Sequence, residues 1–393
     1  MRLVNESPNG TPGAAERVHI IGVGGSATRG LACFLRNKGF SVSGSDQDSE
    51  SKDLLEDHGV TFFQGHDRQH LAEGIQTVIH TRAIDLQNPE LLEAKDRSGI
   101  QIYTYSEYLG MLSERFRTIA VAGTHGKTTT SSIIAHILTS DNKDGLCFIG
   151  GITSNYKSNF LIGKGNFSVV EADEYDRSFM NLFPDTIVLT SMDSDHLDIY
   201  ENQDSLVNAF KDFTNLLSDN KKLIVHENFT HLFQENLSYG FKKDNDLQII
   251  NIQIKEGLYL FDIIFKNQTY ENFVFKMPGS YNLLNAAGSI LACLINGITV
   301  ESIKNGLKSY SGVNRRFDIQ LSLPKLIYID DYAHHPKEID SLLSAVKSFY
   351  PQKFVVGVFQ PHLFSRTRDF MDYFAESLSG FDQIFLLPIY PAR

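Results

Sequence analysis

Tryptophan is absent from this 393-residue chain, and cysteine is scarce: Cys33, Cys147 and Cys293 lie far apart. The missing tryptophan excludes nothing. Three dispersed thiols build neither a disulfide framework nor a clustered zinc site, and they fit a reducing cytoplasm. Positive charge is also short. Lys and Arg total 36 against 47 Asp and Glu, a net charge of −11. That balance argues against broad binding to nucleic acid or anionic membrane and leaves room only for a local basic pocket. The longest apolar run, residues 289–300, is too short and too interrupted to span a bilayer. Residues 1–16 are polar, contain glycine and proline, and lack the apolar core of a signal peptide; they read as a flexible lead-in.

What remains is a folded chain, 42% hydrophobic and 21% charged. Its length suggests two to four domains, and the pattern places boundaries at 17–114, 115–312 and 313–393. Short β-branched runs alternate with amphipathic stretches, which predicts α/β layers with parallel strands. Strands are predicted at 18–23, 41–45, 60–63, 77–80, 118–122, 167–172, 186–191, 326–330, 354–359 and 383–387. Helices are predicted up to about residue 38 and at 89–97, 106–112, 204–217 and 282–295. Residues 247–276 alternate apolar and polar side chains around two turn signals, which predicts an antiparallel patch.

The strongest local signal is Gly123-Thr124-His125-Gly126-Lys127-Thr128-Thr129 after an apolar run. Glycines let backbone N–H groups approach phosphate oxygens, and a helix N-terminus adds free donors and a favourable dipole. Lys127 can reach β- and γ-phosphates, and the Thr128 hydroxyl can bind Mg²⁺. Val121 stands where the generic phosphate-loop pattern has its first glycine, so only the second half of that pattern holds. A second turn, Gly22-Val23-Gly24-Gly25, resembles a dinucleotide fingerprint and points to a diphosphate ligand; Asp46 follows at the spacing suited to a ribose hydroxyl. A turn serving only packing is the alternative there.

Two acidic clusters end strands, at Glu171, Asp173 and Glu174 and at Asp193, Asp195, His196 and Asp198. Strand C-termini are where ligands sit in open α/β sheets. Glu171 could hold Mg²⁺ beside Thr128, and His196 could bind a second ion. Arg315 and Arg316 follow a hinge and suit phosphate contact in a closed state. Asp331, His334 and His335 end one late strand; His362, Arg366 and Arg368 follow another. Their spacing is not that of a zinc site, so a substrate-contacting set is the reading.

Taken in order, these motifs, with Gly44-Ser45-Asp46, Arg315-Arg316-Phe317-Asp318, Asp330-Asp331-Tyr332 and Phe359-Gln360-Pro361-His362, resemble the Mur ligases of peptidoglycan synthesis. The resemblance covers about residues 18–393. It implies three α/β domains: a Rossmann-like one for a UDP-sugar, a phosphate-loop one for ATP, and a Rossmann-like one that closes over both. It also implies substrates and chemistry, nearest to the member that joins L-alanine to UDP-N-acetylmuramate in the cytoplasm through an acyl phosphate. Gly22, Gly24, Gly25, Ser45 and Asp46 would then hold the UDP part. Gly123, Thr124, His125, Gly126, Lys127, Thr128, Thr129, Asn285, Arg316 and Asp331 would hold ATP. Thr128, Glu171 and His196 would hold Mg²⁺, and Lys127, His196, Arg316, His334, His362 and Arg366 would act on the reacting groups. Nucleic acid and membrane are not expected as partners.

Departures from the family pattern are Ala27 and Thr28, Arg82, Ser280-Tyr281 before Asn282, and Leu363. Relatives also continue past the Pro391-Ala392-Arg393 segment, so the C-terminal domain is expected to be incomplete. Three alternatives stay open: a murein tripeptide in place of alanine, a nucleotide-binding module without ligase activity, and a dehydrogenase using the first glycine turn. The last leaves residues 123–130 unexplained.

Overall fold

The computed structural model describes residues 16–192, 203–217 and 222–391. The N-terminal lead-in and the cluster at 193–198, including His196, lie outside the described residues.

The first unit is a five-stranded parallel sheet. Its strands are β1 (Arg17–Ile21), β2 (Ser41–Asp46), β3 (Thr61–Gln64), β4 (Thr77–His80) and β5 (Gln101–Thr104), in the order β3-β2-β1-β4-β5. The central strand β1 is buried on both faces over Val18–Ile21, which is why Val18, Ile20 and Ile21 do not alternate with exposed polar residues; the buried His19 among them meets Ser43 Oγ at 2.9 Å. The helix Ser26–Asn37 buries Leu31, Phe34 and Leu35, the spacing of one helix face. The reversal of strand order beside β1 opens a crevice at the strand C-termini, where Gly22, Asp46 and His80 lie.

The second unit is a ten-stranded sheet: β6 (Arg117–Ala122), β7 (Asp144–Phe148), β8 (Phe160–Ile162), β9 (Phe167–Glu171), β10 (Thr186–Leu189), β11 (Leu223–His226), β12 (Leu237–Gly240), β13 (Leu247–Lys255), β14 (Leu258–Phe265) and β15 (Gln268–Phe275). The order is β15-β14-β13-β12-β11-β10-β6-β9-β7-β8. Strand β6 sits between β10 and β9, all parallel, so its C-terminal loop faces the switch point of the sheet. The antiparallel patch is there as expected, in β13 to β15. Helices Lys127–Ser140, Ser280–Ile295 and Val300–Ser309 pack on one side around a core of Ile133, Ile137, Leu283, Ile290 and Leu307.

The third unit has two small sheets. Strands β16 (Asp318–Ser322) and β17 (Ile327–Asp330) form an antiparallel hairpin; β18 (Val356–Phe359) and β19 (Gln383–Leu386) pair in parallel. The expected strand near 326–330 therefore pairs with its sequence neighbour, because a short turn makes that pairing the local one. One face of β18 and β19 packs on the helices Pro336–Phe349 and Met371–Leu378 through Ile339, Phe359, Phe374 and Leu378. Strands β5, β7, β8, β11, β12 and β16 and the helix Lys52–Asp57 are not among the expected elements: each is only 3 to 6 residues long, too short for a period to show in the sequence.

Candidate functional site

The phosphate loop follows β6. Val121 is fully buried inside that strand, so the turn begins two residues later, at Gly123. Gly126 is the N-cap of the helix Lys127–Ser140 and takes a left-handed φ of 83°. A Cβ there would lie 2.5 Å from Asn285 Oδ1, so both conformation and space demand glycine. The loop is tied to the end of β10: His125 N–H donates to Ser191 Oγ at 2.7 Å, and Thr190 Oγ1 donates to the His125 carbonyl. Lys127 and Thr128, whose N–H groups lie in the first turn and so have no partner within the helix, line a cavity of about 710 Å³.

Lys127 Nζ donates to both Glu174 oxygens at 2.8 Å and to the Gly123 carbonyl at 2.6 Å. Glu174 is fully buried. Burial disfavours the Lys127 ammonium, but Glu174, Asp173 and Glu171 outweigh it and hold its pKa above the ordinary lysine value. Glu171 Oε1 accepts the Thr128 hydroxyl at 2.9 Å, and Oε2 accepts Gly150 N–H at 2.7 Å. Burial pushes the Glu171 carboxyl up, against the Lys127 charge and these hydrogen bonds. A hydroxyl and a carboxylate set side by side fit a hard divalent cation.

The same cavity gathers Thr124, His125, Thr129, Asn285, Arg316, Asp331 and His334 from the expected set. His226, Phe229, Tyr239 and Tyr281 also line it, and sequence reasoning did not single them out as site residues beyond noting Tyr281 as a departure. Their signal is only that His226 ends β11 and Tyr239 stands next to the end of β12. Arg316 lies 5.5 Å over the Tyr332 ring. Asp331 ties two loop segments together: Oδ2 accepts Phe317 N–H at 2.7 Å and Oδ1 accepts Ala333 N–H at 2.8 Å. Burial pushes its carboxyl up to about 6, with those N–H groups and Arg316 pulling the other way. His362 and Arg366 do not line this cavity; the His362 ring stands 6.2 Å from that of His334.

In the first unit, Gly24 N–H donates to Asp46 Oδ2 at 2.8 Å, and the Gly22 and Val23 N–H groups donate to the Ser45 carbonyl. The glycine turn is thereby closed against β2. Gly25 is the N-cap of the helix that follows it. The Ser45 side chain points inward, where its hydroxyl donates to the fully buried Glu90 at 2.5 Å. His70 Nδ1 lies 2.6 Å and His66 Nδ1 3.2 Å from the same carboxylate. Burial would raise Glu90, but His19, Ser45 and His70 overcome it and bring it down to about 2. This network was not legible in the sequence.

A second cavity, of about 340 Å³, runs between the first two units. Ser26, Ala27, Tyr105 and Ser106 line one wall; Asn159, Phe148 and Phe179 line the other. Asn159 Nδ2 donates to the Ser26 carbonyl at 3.0 Å. Lys127 and Glu171 line both cavities, so the two meet at the phosphate loop.

Among the described residues, no helix is long and apolar enough to cross a membrane. Fold and loop together define a nucleotide-binding α/β protein of three units. Family models match the chain in order: "Mur ligase family, catalytic domain" over residues 17–117, "Mur ligase middle domain" over 121–293 and "Mur ligase, glutamate ligase domain" over 315–392. The chain belongs to the Mur ligase family. UDP-N-acetylmuramate–L-alanine ligase of Flavobacterium johnsoniae is 41% identical over 385 residues, covering 96% of this chain and 84% of the relative. The same enzyme of Cytophaga hutchinsonii is 39% identical over 390 residues, with coverages of 96% and 84%. The crystal structure of UDP-N-acetylmuramate–alanine ligase from Thermotoga maritima matches with a TM-score of 0.78 at 27% identity, covering 95% of this chain and 85% of that one.

Proposed function

We infer that this chain is an ATP-dependent ligase that joins L-alanine to UDP-N-acetylmuramate, releasing ADP and phosphate, and that it works in the cytoplasm. The observation that carries the reading is the meeting of two cavities at Lys127 and Glu171. One cavity suits ATP. The other opens toward the glycine turn of the first unit and suits the sugar and its carboxylate.

The unit 17–114 takes the UDP-sugar, 115–312 takes ATP and 313–393 closes over both. A carboxylate oxygen of the sugar attacks the γ-phosphorus of ATP, and the bond to ADP breaks. The alanine amine then attacks the carbonyl carbon of the acyl phosphate, and phosphate leaves. Residues 123–129 cradle the triphosphate through backbone N–H groups. Lys127 exchanges contact with Glu174 for the phosphoryl oxygens and balances the charge that builds on them. Asn285 bounds the cavity beside Gly126, and Arg316 reaches the nucleotide from the hinge. Asp331 holds that hinge. His334, His362 and Arg366 meet the carboxylate and the amino acid as the third unit closes. Gly22, Gly24 and Gly25 take the diphosphate of the UDP part and Asp46 a ribose hydroxyl, and Ser45 supports their turn.

Thr128 and Glu171 fit Mg²⁺, and His196 is the further ligand by the family pattern. The ion would supply charge neutralisation at the phosphoryl oxygens. Closure excludes water, which an acyl phosphate requires.

The test is ADP release with ATP, Mg²⁺ and UDP-N-acetylmuramate, adding L-alanine or the murein tripeptide in turn. Release that depends on L-alanine is expected. Release that depends on the tripeptide alone overturns the substrate, and ATP binding without release under either condition overturns the ligase.

A further inference from the structure

Glu338 has two oxygens, and they do different work. It stands in the first turn of the helix Pro336–Phe349, behind the N-cap His335. Oε2 accepts His334 N–H at 2.9 Å and His335 N–H at 3.2 Å, which is the usual task of a capping-box glutamate. Oε1 is not needed for that cap. It crosses to the second unit, 3.1 Å from Nδ1 of His125, the imidazole of the phosphate loop, 213 residues earlier in the chain. The pair is mostly shielded, with side-chain exposures of 19% and 16%, so solvent screens it little.

The neighbours give this contact its consequence. His125 is fixed from behind, because its backbone N–H and carbonyl are both tied to the end of β10. His334 Nδ1 donates to the Tyr332 carbonyl at 2.8 Å and stands 3.3 Å from Glu338 Oε2. Lys127 begins the helix two residues after His125. One carboxylate thus touches the loop that carries the ammonium and the segment that carries the later histidine. It also lines the cavity that the proposal assigns to ATP, where an uncompensated carboxylate would repel a triphosphate; His125 supplies the compensating donor.

We propose that Glu338 is a positioning residue: through His125 it docks the third unit on the phosphate loop and so sets His334 relative to Lys127. This rests on the ligase reading above. It touches no reacting atom. Its loss leaves the nucleotide cradle intact but loosens closure, so water reaches the acyl phosphate. Water then attacks that intermediate, returns the sugar carboxylate and releases phosphate, and ADP accumulates without amide.

The experiment compares Glu338→Gln, His125→Ala and the double variant with the unaltered chain. ADP and amide product are counted together, and amide hydrogen exchange is followed without substrates. Expected are an amide-to-ADP ratio below one in each variant and a KM for L-alanine raised about tenfold. The double variant should be no worse than the poorer single one. Exchange should quicken at residues 332–340 in His125→Ala and at 124–130 in Glu338→Gln. His125→Ala leaves the helix cap alone. If only Glu338→Gln has an effect, the glutamate is a cap and the proposal falls. It falls equally if the two effects multiply, or if the ratio stays at one. Should the unaltered chain form no amide, the substrate reading fails, and the cross-unit exchange pattern alone decides the docking.

Discussion

Replacing Lys127 by alanine removes two things that can be measured apart. One is catalytic. An ammonium that meets developing phosphoryl charge is worth at least as much as an oxyanion donor, so turnover should fall by a factor on the order of a thousand or more. The other is structural. Lys127 Nζ lies 2.8 Å from both oxygens of Glu174, which is fully buried. Breaking a buried pair by removing one partner costs about 3–5 kcal/mol, because the remaining charge stays in a poorly solvated place. For a unit of this size that is a fall of about 10 °C in the unfolding midpoint. Lys127→Ala with Glu174→Gln removes both charges. It should regain most of the lost midpoint and none of the turnover. ADP release and scanning calorimetry on the three variants read the two effects. Turnover that survives Lys127→Ala would refute the phosphate-loop assignment. An unshifted midpoint would refute the claim that Glu174 depends on Lys127, and the UDP-sugar should still bind throughout.

Gly126→Ala places a Cβ 2.5 Å from Asn285 Oδ1 at a φ of 83°, so ATP binding should weaken at least tenfold by calorimetric titration while the first unit is untouched. Glu90→Gln should destabilise the first unit by on the order of 3 kcal/mol at pH 7, from a carboxyl brought from 4.5 to about 2. The sign follows from a depressed acid: the contribution is present above about pH 4.5 and is lost as pH falls toward 2, so the gap between variant and parent in urea unfolding should close over that window. The three cysteines are buried, and burial raises each thiol, Cys33 to about 11. A thiol reagent at pH 8 should therefore label none in the native chain and all three in denaturant.

Local chemistry was readable along the chain. Residues 123–129 announce a phosphate loop because glycine, lysine and threonine must stand at fixed offsets between a strand and a helix. Arg17–Ile21 and Thr186–Leu189 announce buried parallel strands because both faces are covered, so apolar residues stand at consecutive positions, as at Ile20-Ile21 and Ile187-Val188-Leu189. Such signals depend only on near neighbours. The pairings of the carboxylates that organise the site gave none. Glu90 meets Ser45 across 45 residues, Glu174 meets Lys127 across 47 and Glu338 meets His125 across 213. Glu174 stands out only as a member of an acidic strand end, and Glu90 and Glu338 are ordinary acidic residues until the fold brings a partner within reach. The junction of the two cavities is likewise a product of packing, since its walls come from units joined only by the folded chain. Motif and period are properties of neighbours in sequence, whereas burial, charge pairing and the meeting of pockets are properties of neighbours in space.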